Sequence, residues 1–189
     1  WGSDSLSGKK VLVQGIGHVG EVLVSYLTKD GAKVYINDIS EERIKSVADK
    51  YKAEFVAADK MFDLDMDIYA PCALGATVTD ETLAKLKCKI ICGAANNQLA
   101  DETIQGVSVG KKGILYVPDF VVNAGGIINV YYELEGYNRE RALAHAEKIY
   151  DTTFNLFQLA KKEGIPTYLA ANRLGEQRIE AIARINAVL

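Results

Sequence analysis

Through the first two thirds of the chain, short apolar runs alternate with stretches whose apolar residues recur at helical spacing. Runs at 10–14, 33–38, 54–57, 67–70, 89–92 and 114–117 predict strands. Between them, 18–30 reads as a helix stopped by Gly31, and 80–87 as a helix begun by Asp80. Ser40 is placed to cap a further helix running to Tyr51, with Glu41 and Glu42 suited to the positive end of its dipole. Pro71 and Pro118 close two of the strands, and Gly93 opens a loop after another. Strand and helix in alternation predict a parallel sheet covered on both faces. The last third changes character. The stretch 121–134 is apolar and reads as helical, with Gly125 and Gly126 weakening its start. Asn138 is placed to cap a long helix over 139–163, where Ala142, Ala146, Ile149, Thr153, Leu156 and Ala160 keep helical spacing. Gly164 and Pro166 end it, and 167–189 reads as a final helix. With no repeat, low-complexity stretch or charge block, one domain over 1–189 is the economical reading.

Composition narrows the class without naming it. Apolar residues are 49% and charged residues 25% of the 189, which is ordinary for a globular chain. The net charge of −3 offers no basic field to nucleic acid or an anionic membrane. No apolar run approaches the roughly 20 residues that span a bilayer. The opening residues lack a signal-peptide pattern, and the three cysteines have no metal-type spacing, so a reducing, cytoplasmic setting and no metal are expected. The chain opens at Trp1 without a Met and stops inside a helical pattern, so a domain of a longer polypeptide is expected.

The chemistry begins at Gly15-Ile16-Gly17-His18-Val19-Gly20, directly after the first strand. Gly15 lets the chain turn sharply, Gly17 removes a side chain where backbone must approach a pyrophosphate, and Gly20 lets the helix pack closely. The helix start then offers amide donors and partial positive charge to phosphate. Glycines also serve ordinary turns, but here the triplet follows a strand, opens a helix and has Asp38 at the end of the next strand. The pattern predicts a Rossmann-type, doubly wound, mostly parallel α/β sheet with helices on both faces and long C-terminal helices. The expected ligand is NAD rather than NADP. The Asp38 carboxylate suits ribose hydroxyls and repels a 2′-phosphate, Ile39, Ser40 and Glu41 add no cation, and Arg43 is expected on the solvated face of its helix. A turn or cap role for Asp38 is the plainer alternative.

Further stretches carry a resemblance: 8–20; 67–76, with Pro71-Cys72-Ala73-Leu74-Gly75; 93–99, with Gly93-Ala94-Ala95-Asn96-Asn97; 118–126, with Asn123-Ala124-Gly125-Gly126; and 136–141. In order and wording they resemble the cofactor domain of the leucine dehydrogenase branch of the glutamate, leucine, valine and phenylalanine dehydrogenases. That family oxidatively deaminates an L-amino acid to a 2-oxo acid and ammonia, with hydride passing to NAD. The resemblance implies that the catalytic lysines and acid lie in a separate N-terminal domain, on a glycine-rich segment. The Gly110-Lys111-Lys112-Gly113 pair reads as a surface turn instead. The chain is therefore expected to bind NAD but not to turn over substrate alone, its parent enzyme being a homo-oligomer acting on a branched-chain, leucine-like amino acid.

By the same resemblance Gly15, Gly17, His18, Val19, Gly20, Asp38, Ile39, Cys72, Ala73, Leu74, Ala94, Asn96 and Asn97 would contact the dinucleotide. Asn97, Asn123, Ile127 and Val130 would face the substrate. Each has a plainer alternative. Asn96 and Asn97 suit an Asx turn, Gly125 and Gly126 close helix packing, and Ile127 and Val130 a core. Cys72 has no sequence neighbour to activate its thiol, so packing or backbone contact is expected there, and Cys88 and Cys92 read as buried small hydrophobes. His18 stands where the family usually has Asn, and Gly20 where the leucine enzymes often have Ala. His145 reads as structural. Two other functions stay open: a non-catalytic NAD-sensing or regulatory module, and a scaffold that keeps only the fold.

Overall fold

The computed structural model describes residues 2–134 and 136–186. Six strands form one parallel sheet: β1 (Lys10–Gln14), β2 (Lys33–Asn37), β3 (Glu54–Phe55), β4 (Ile68–Pro71), β5 (Ile90–Ile91) and β6 (Leu115–Tyr116). Their order is β3-β2-β1-β4-β5-β6, so chain direction across the sheet reverses between β1 and β4. The register sets Gln14 beside both Asn37 and Pro71, and the strand ends at the site are therefore level.

Alternation along the strands divides the core in two. Val11, Val13, Ile36 and Ala70 face one way and pack with Val24 and Leu27 of α1 (His18–Lys29) and Val47 of α2 (Glu41–Tyr51). Leu12, Tyr69 and Ile91 face the other way and pack with Leu83 of α3 (Asp80–Lys85) and Val109 of α4 (Glu102–Lys111). Burying each large apolar side chain contributes roughly 1.5–3 kcal/mol. Tyr69 is fully buried and satisfies its hydroxyl on Gln14 and on Thr77.

The helix α4 is an addition to the elements read from the sequence, in which Gly93 opens a loop running to the sixth strand. Asp101 caps it by accepting from Thr103 and Ile104, while Gln105 accepts from the Asp101 amide. Gly106 and Gly110 dilute its helical signal. The apolar stretch predicted as one helix over 121–134 is instead two, α5 (Asp119–Val122) and α6 (Gly125–Leu134), broken at Asn123 and Ala124. The long helix α7 (Arg139–Glu163) has the predicted bounds, with Asn138 accepting from Arg141 at its start and Gly164 left-handed at its end. The last helix, α8 (Thr167–Asn186), begins as expected, and 187–189 lie outside the described residues.

The chain divides into two compact units, the first ending at Asp119 and the second beginning at Phe120. The sheet and α1–α4 belong to the first. Within the second, Leu156 and Ala160 of α7 pack with Ala170 and Ala171 of α8. Among the described residues no helix is long and apolar enough to cross a membrane.

Candidate functional site

The loops that follow β1, β2, β4 and β5 gather at the carboxyl edge of the sheet, around the switch between β1 and β4 where ligands lie in open α/β sheets. Gly15 has φ +91°, and a Cβ there would stand 2.5 Å from Cβ of Ala73, so the first loop and the loop after β4 are in van der Waals contact. A Cβ on Gly20 would fall 2.0 Å from the Gly15 carbonyl oxygen. The close approach at Gly20 is thus between the helix start and its own preceding loop. Gly17 is different. It is exposed, and a Cβ on it would meet nothing within 4 Å. It heads α1 with no side-chain cap, so the first-turn amides present their donors outward. A bare backbone with open space in front of it fits the close approach of a phosphate.

Asp38, just past β2, is held more tightly than expected. Its Oδ2 accepts from the Ile16 amide at 2.9 Å, and its Oδ1 accepts from the Ser40 amide at 2.9 Å and from Arg43 at 2.6 Å. The expectation that Arg43 points away from the site is therefore corrected. It reaches back toward the start of its helix because the Asp38 side chain, 6% exposed, is largely out of water and its charge needs a partner. Burial pushes the Asp38 carboxyl up, but Arg43 and the two amides outweigh it and hold the carboxyl below its ordinary value. The carboxylate braces the Gly15–Gly17 loop from behind, which is the turn role joined to a site role. Three of its roughly four acceptor positions are used.

Apolar side chains stand out of the sheet edge beside these polar groups. Ile39 is 99% exposed, Leu74 78%, and Val19 is exposed on the first turn of α1. Ala73 is exposed, whereas Cys72 and Ala94 are half-buried. Burial pushes the Cys72 thiol up, only partly offset by the Ala94 amide, and an unactivated thiol is what packing requires. Burial pushes the Cys88 and Cys92 thiols up to about 11 as well.

The loop after β5 carries Asn96 and Asn97, both exposed. Gly93 and Gly75 allow it to sit against the β4 loop: a Cβ on Gly93 would lie 2.1 Å from the Pro71 carbonyl oxygen, and one on Gly75 2.4 Å from that of Asn96. Asn97 has φ +51°. Its carbonyl accepts from Ala76 at 2.6 Å and its amide donates to Asp119 at 2.8 Å. Gln98, fully buried, donates from Nε2 to the carbonyls of Gly93 and Ala95. Neither Gln98 nor Asp119 was singled out from the sequence. Asn123 lies in the break before α6, within the second unit, and Ile127 and Val130 of α6 are 73% and 56% exposed. Their plainer reading as core is thereby corrected: this face of α6 is turned to solvent, while Ile128 is half-buried. His18 is exposed at the start of α1, and His145 stacks edge-on to Tyr132 at 5.9 Å.

Sheet order, glycine loop and strand-end acid define a Rossmann-like α/β domain. Residues 35–185 match the family model described as Glutamate/Leucine/Phenylalanine/Valine dehydrogenase, and the chain belongs to that family. It is 51% identical to leucine dehydrogenase of Thermoactinomyces intermedius, over 97% of this chain and 50% of that protein. It is 46% identical to valine dehydrogenase of Streptomyces virginiae, over 95% of this chain and 51% of that one. Among solved structures, L-tryptophan dehydrogenase from Nostoc punctiforme superposes with a TM-score of 0.94 at 43% identity, covering 97% of this chain and 55% of that one. A hetero-hexameric glutamate dehydrogenase from Thermus thermophilus, at TM-score 0.74 and 18% identity, shares the fold. The chain spans about half the length of the curated relatives it matches.

Proposed function

We propose that this chain is the NAD-holding half of an L-amino-acid dehydrogenase. The observation that carries the reading is the pairing of an open glycine-backed helix start at Gly17, after β1 beside the β1–β4 switch, with the Asp38 carboxylate after the neighbouring β2. Pyrophosphate would lie on the amides of Gly17, His18 and Val19, with Gly15 and Gly20 shaping the loop. The adenosine ribose would take the remaining acceptor position of Asp38, and Ile39 would cover the adenine side. Cys72, Ala73, Leu74 and Ala94 would line the path toward the nicotinamide, and Asn96 and Asn97 would offer amide groups to its carboxamide and to the substrate. When bound, the nicotinamide accepts a hydride from the amino-acid α-carbon; this chain's part is to orient it and exclude water.

Asn123, Ile127 and Val130 would supply one side of a pocket for the amino-acid side chain, and the exposure of the last two supports that use. Relatives named for leucine, valine and tryptophan make an apolar side chain the class to expect, with a branched-chain, leucine-like substrate first. The acid–base groups would come from outside this chain, which is expected to bind NAD without turning over substrate. A homo-oligomeric, cytoplasmic parent enzyme completes the reading.

Calorimetric titration with NAD and NADP tests it. Saturable NAD binding, with NADP weaker, is expected. In Asp38→Ala, NAD affinity should fall about ten- to hundredfold, the range of a hydrogen bond to a charged group. A folded chain that binds neither dinucleotide would overturn the proposal.

A further inference from the structure

Asn97 is a non-glycine residue at φ +51°, in the left-handed region that asparagine reaches more readily than most L residues but still at a cost. Such a residue relaxes unless its surroundings fix it. Here both of its backbone groups are fixed. The carbonyl is tied to the β4 loop through Ala76, itself left-handed at φ +58°. The amide is tied to Oδ2 of Asp119, whose other oxygen accepts from the Tyr116 hydroxyl at 2.9 Å. Asp119 is buried at the start of α5, three residues past Tyr116, far enough from water that its carboxylate must be satisfied by these donors. Tyr116 is buried too, so the pair is anchored in the sheet and not on a mobile surface.

We infer that Asp119 is a positioning residue for the nicotinamide side of the site: its carboxylate, held by Tyr116, fixes the Asn97 backbone left-handed so that the Asn97 side chain faces the ligand edge. The inference rests on the proposed NAD site. A carboxylate suits this role better than a neutral acceptor because a charge-assisted bond to a backbone amide is shorter and about twice as strong. Gln98, one residue on, donates its side-chain amide to the Gly93 and Ala95 carbonyls and so ties down the part of the loop that leads into Asn97.

The test uses two ligands on one chain. NAD carries the nicotinamide and ADP-ribose lacks it, while both share the pyrophosphate and adenosine ribose. In Asp119→Ala, NAD affinity should fall about ten- to hundredfold while ADP-ribose affinity stays within about twofold. Asp119→Asn keeps an acceptor for the Asn97 amide and should recover most of the loss. It also serves where the alanine variant fails to fold. Amide hydrogen exchange adds a readout that needs no ligand: Asn97 should lose protection in Asp119→Ala while Leu12 and Tyr69 keep theirs. Equal loss of both ligands, or a protected Asn97 amide in a folded Asp119→Ala, would overturn the inference. Failure of the unaltered chain to bind either ligand would instead remove the NAD reading, and this inference with it.

Discussion

At the β1–β2 end of the candidate site, a loop is shaped by glycine conformation and braced by the Asp38 carboxylate through the Ile16 amide. At the β5 end, a loop is shaped by an asparagine in the left-handed region and braced by the Asp119 carboxylate through the Asn97 amide. Both carboxylates reach across 22 residues to a backbone amide in a strand-end loop. The difference lies in what surrounds them. Asp38 has a cation beside it and an exposed face next to it in Ile39; Asp119 has a tyrosine hydroxyl and a buried setting. On the proposed reading the first end meets the ligand with its backbone, whereas the second presents a side chain. A backbone end tolerates little change in its glycines, and a side-chain end little change in its buttress.

The largest effect should come from Gly15→Ala. A Cβ there meets three atoms of Ala73 under 3 Å and also forces a side chain onto φ +91°. Backbone strain and overpacking each cost roughly 1–3 kcal/mol, which together lower Tm by about 5 °C or more in a chain of this size. Thermal melts and NAD titration should both show the loss. A variant that melts normally and binds normally would mean that the first loop is not set by its glycine, and the contrast between the ends would collapse.

Arg43→Ala probes the same end more finely. The arginine is half-exposed but Asp38 is buried and would keep only the Ile16 and Ser40 amides, so removing Arg43 should cost about 1–3 kcal/mol. Its value is in selectivity. Arg43 is the cation that a 2′-phosphate would meet, so NADP affinity should fall a few-fold more than NAD affinity, widening the preference for NAD. Acid stability moves as well. The folded Asp38 carboxyl lies below its unfolded value of about 3.9, so the stability it contributes is present above that pH and lost as pH falls through the folded value. Without Arg43 the folded value rises, and the acid unfolding midpoint should shift upward. An unchanged dinucleotide preference in paired titrations would take Arg43 out of the site.

The two ends also differ in how far they could be read from the sequence. Gly15, Gly17, Gly20 and Asp38 form a local pattern whose spacing has a physical reason, and all six strands followed from apolar runs. The bond from Asn97 to Asp119 spans the same distance in sequence but has no pattern of its own, because neither residue type is restricted to that task. Arg43 lies against Asp38 rather than on the solvated face because a helical residue's direction depends on what its neighbour needs, and the depth of Asp38 is a tertiary fact. The helix α4 was hidden by Gly106 and Gly110, although Asp101 as a cap followed by Glu102 in the first turn is a helix-start signal.

Glu102→Gln gives the smallest effect and sharpens the β5 end. Glu102 opens α4, where the helix dipole favours a charged carboxylate. Its carboxyl is nevertheless pushed up, first by burial and then by the negative charge of Asp119. Those two influences therefore outweigh the dipole. A folded value above the unfolded one means that stability is intact at pH below the unfolded value and declines as pH rises through the folded value. At neutral pH the ionised Glu102 is thus a small burden, and the glutamine should stabilise by no more than about 0.5 kcal/mol, or a degree or two in Tm. The gain should vanish near pH 4. A gain that persists unchanged at pH 4 would assign it to packing, and a loss at pH 7 would show that the dipole wins and that Asp119 acts only on Asn97 and Tyr116.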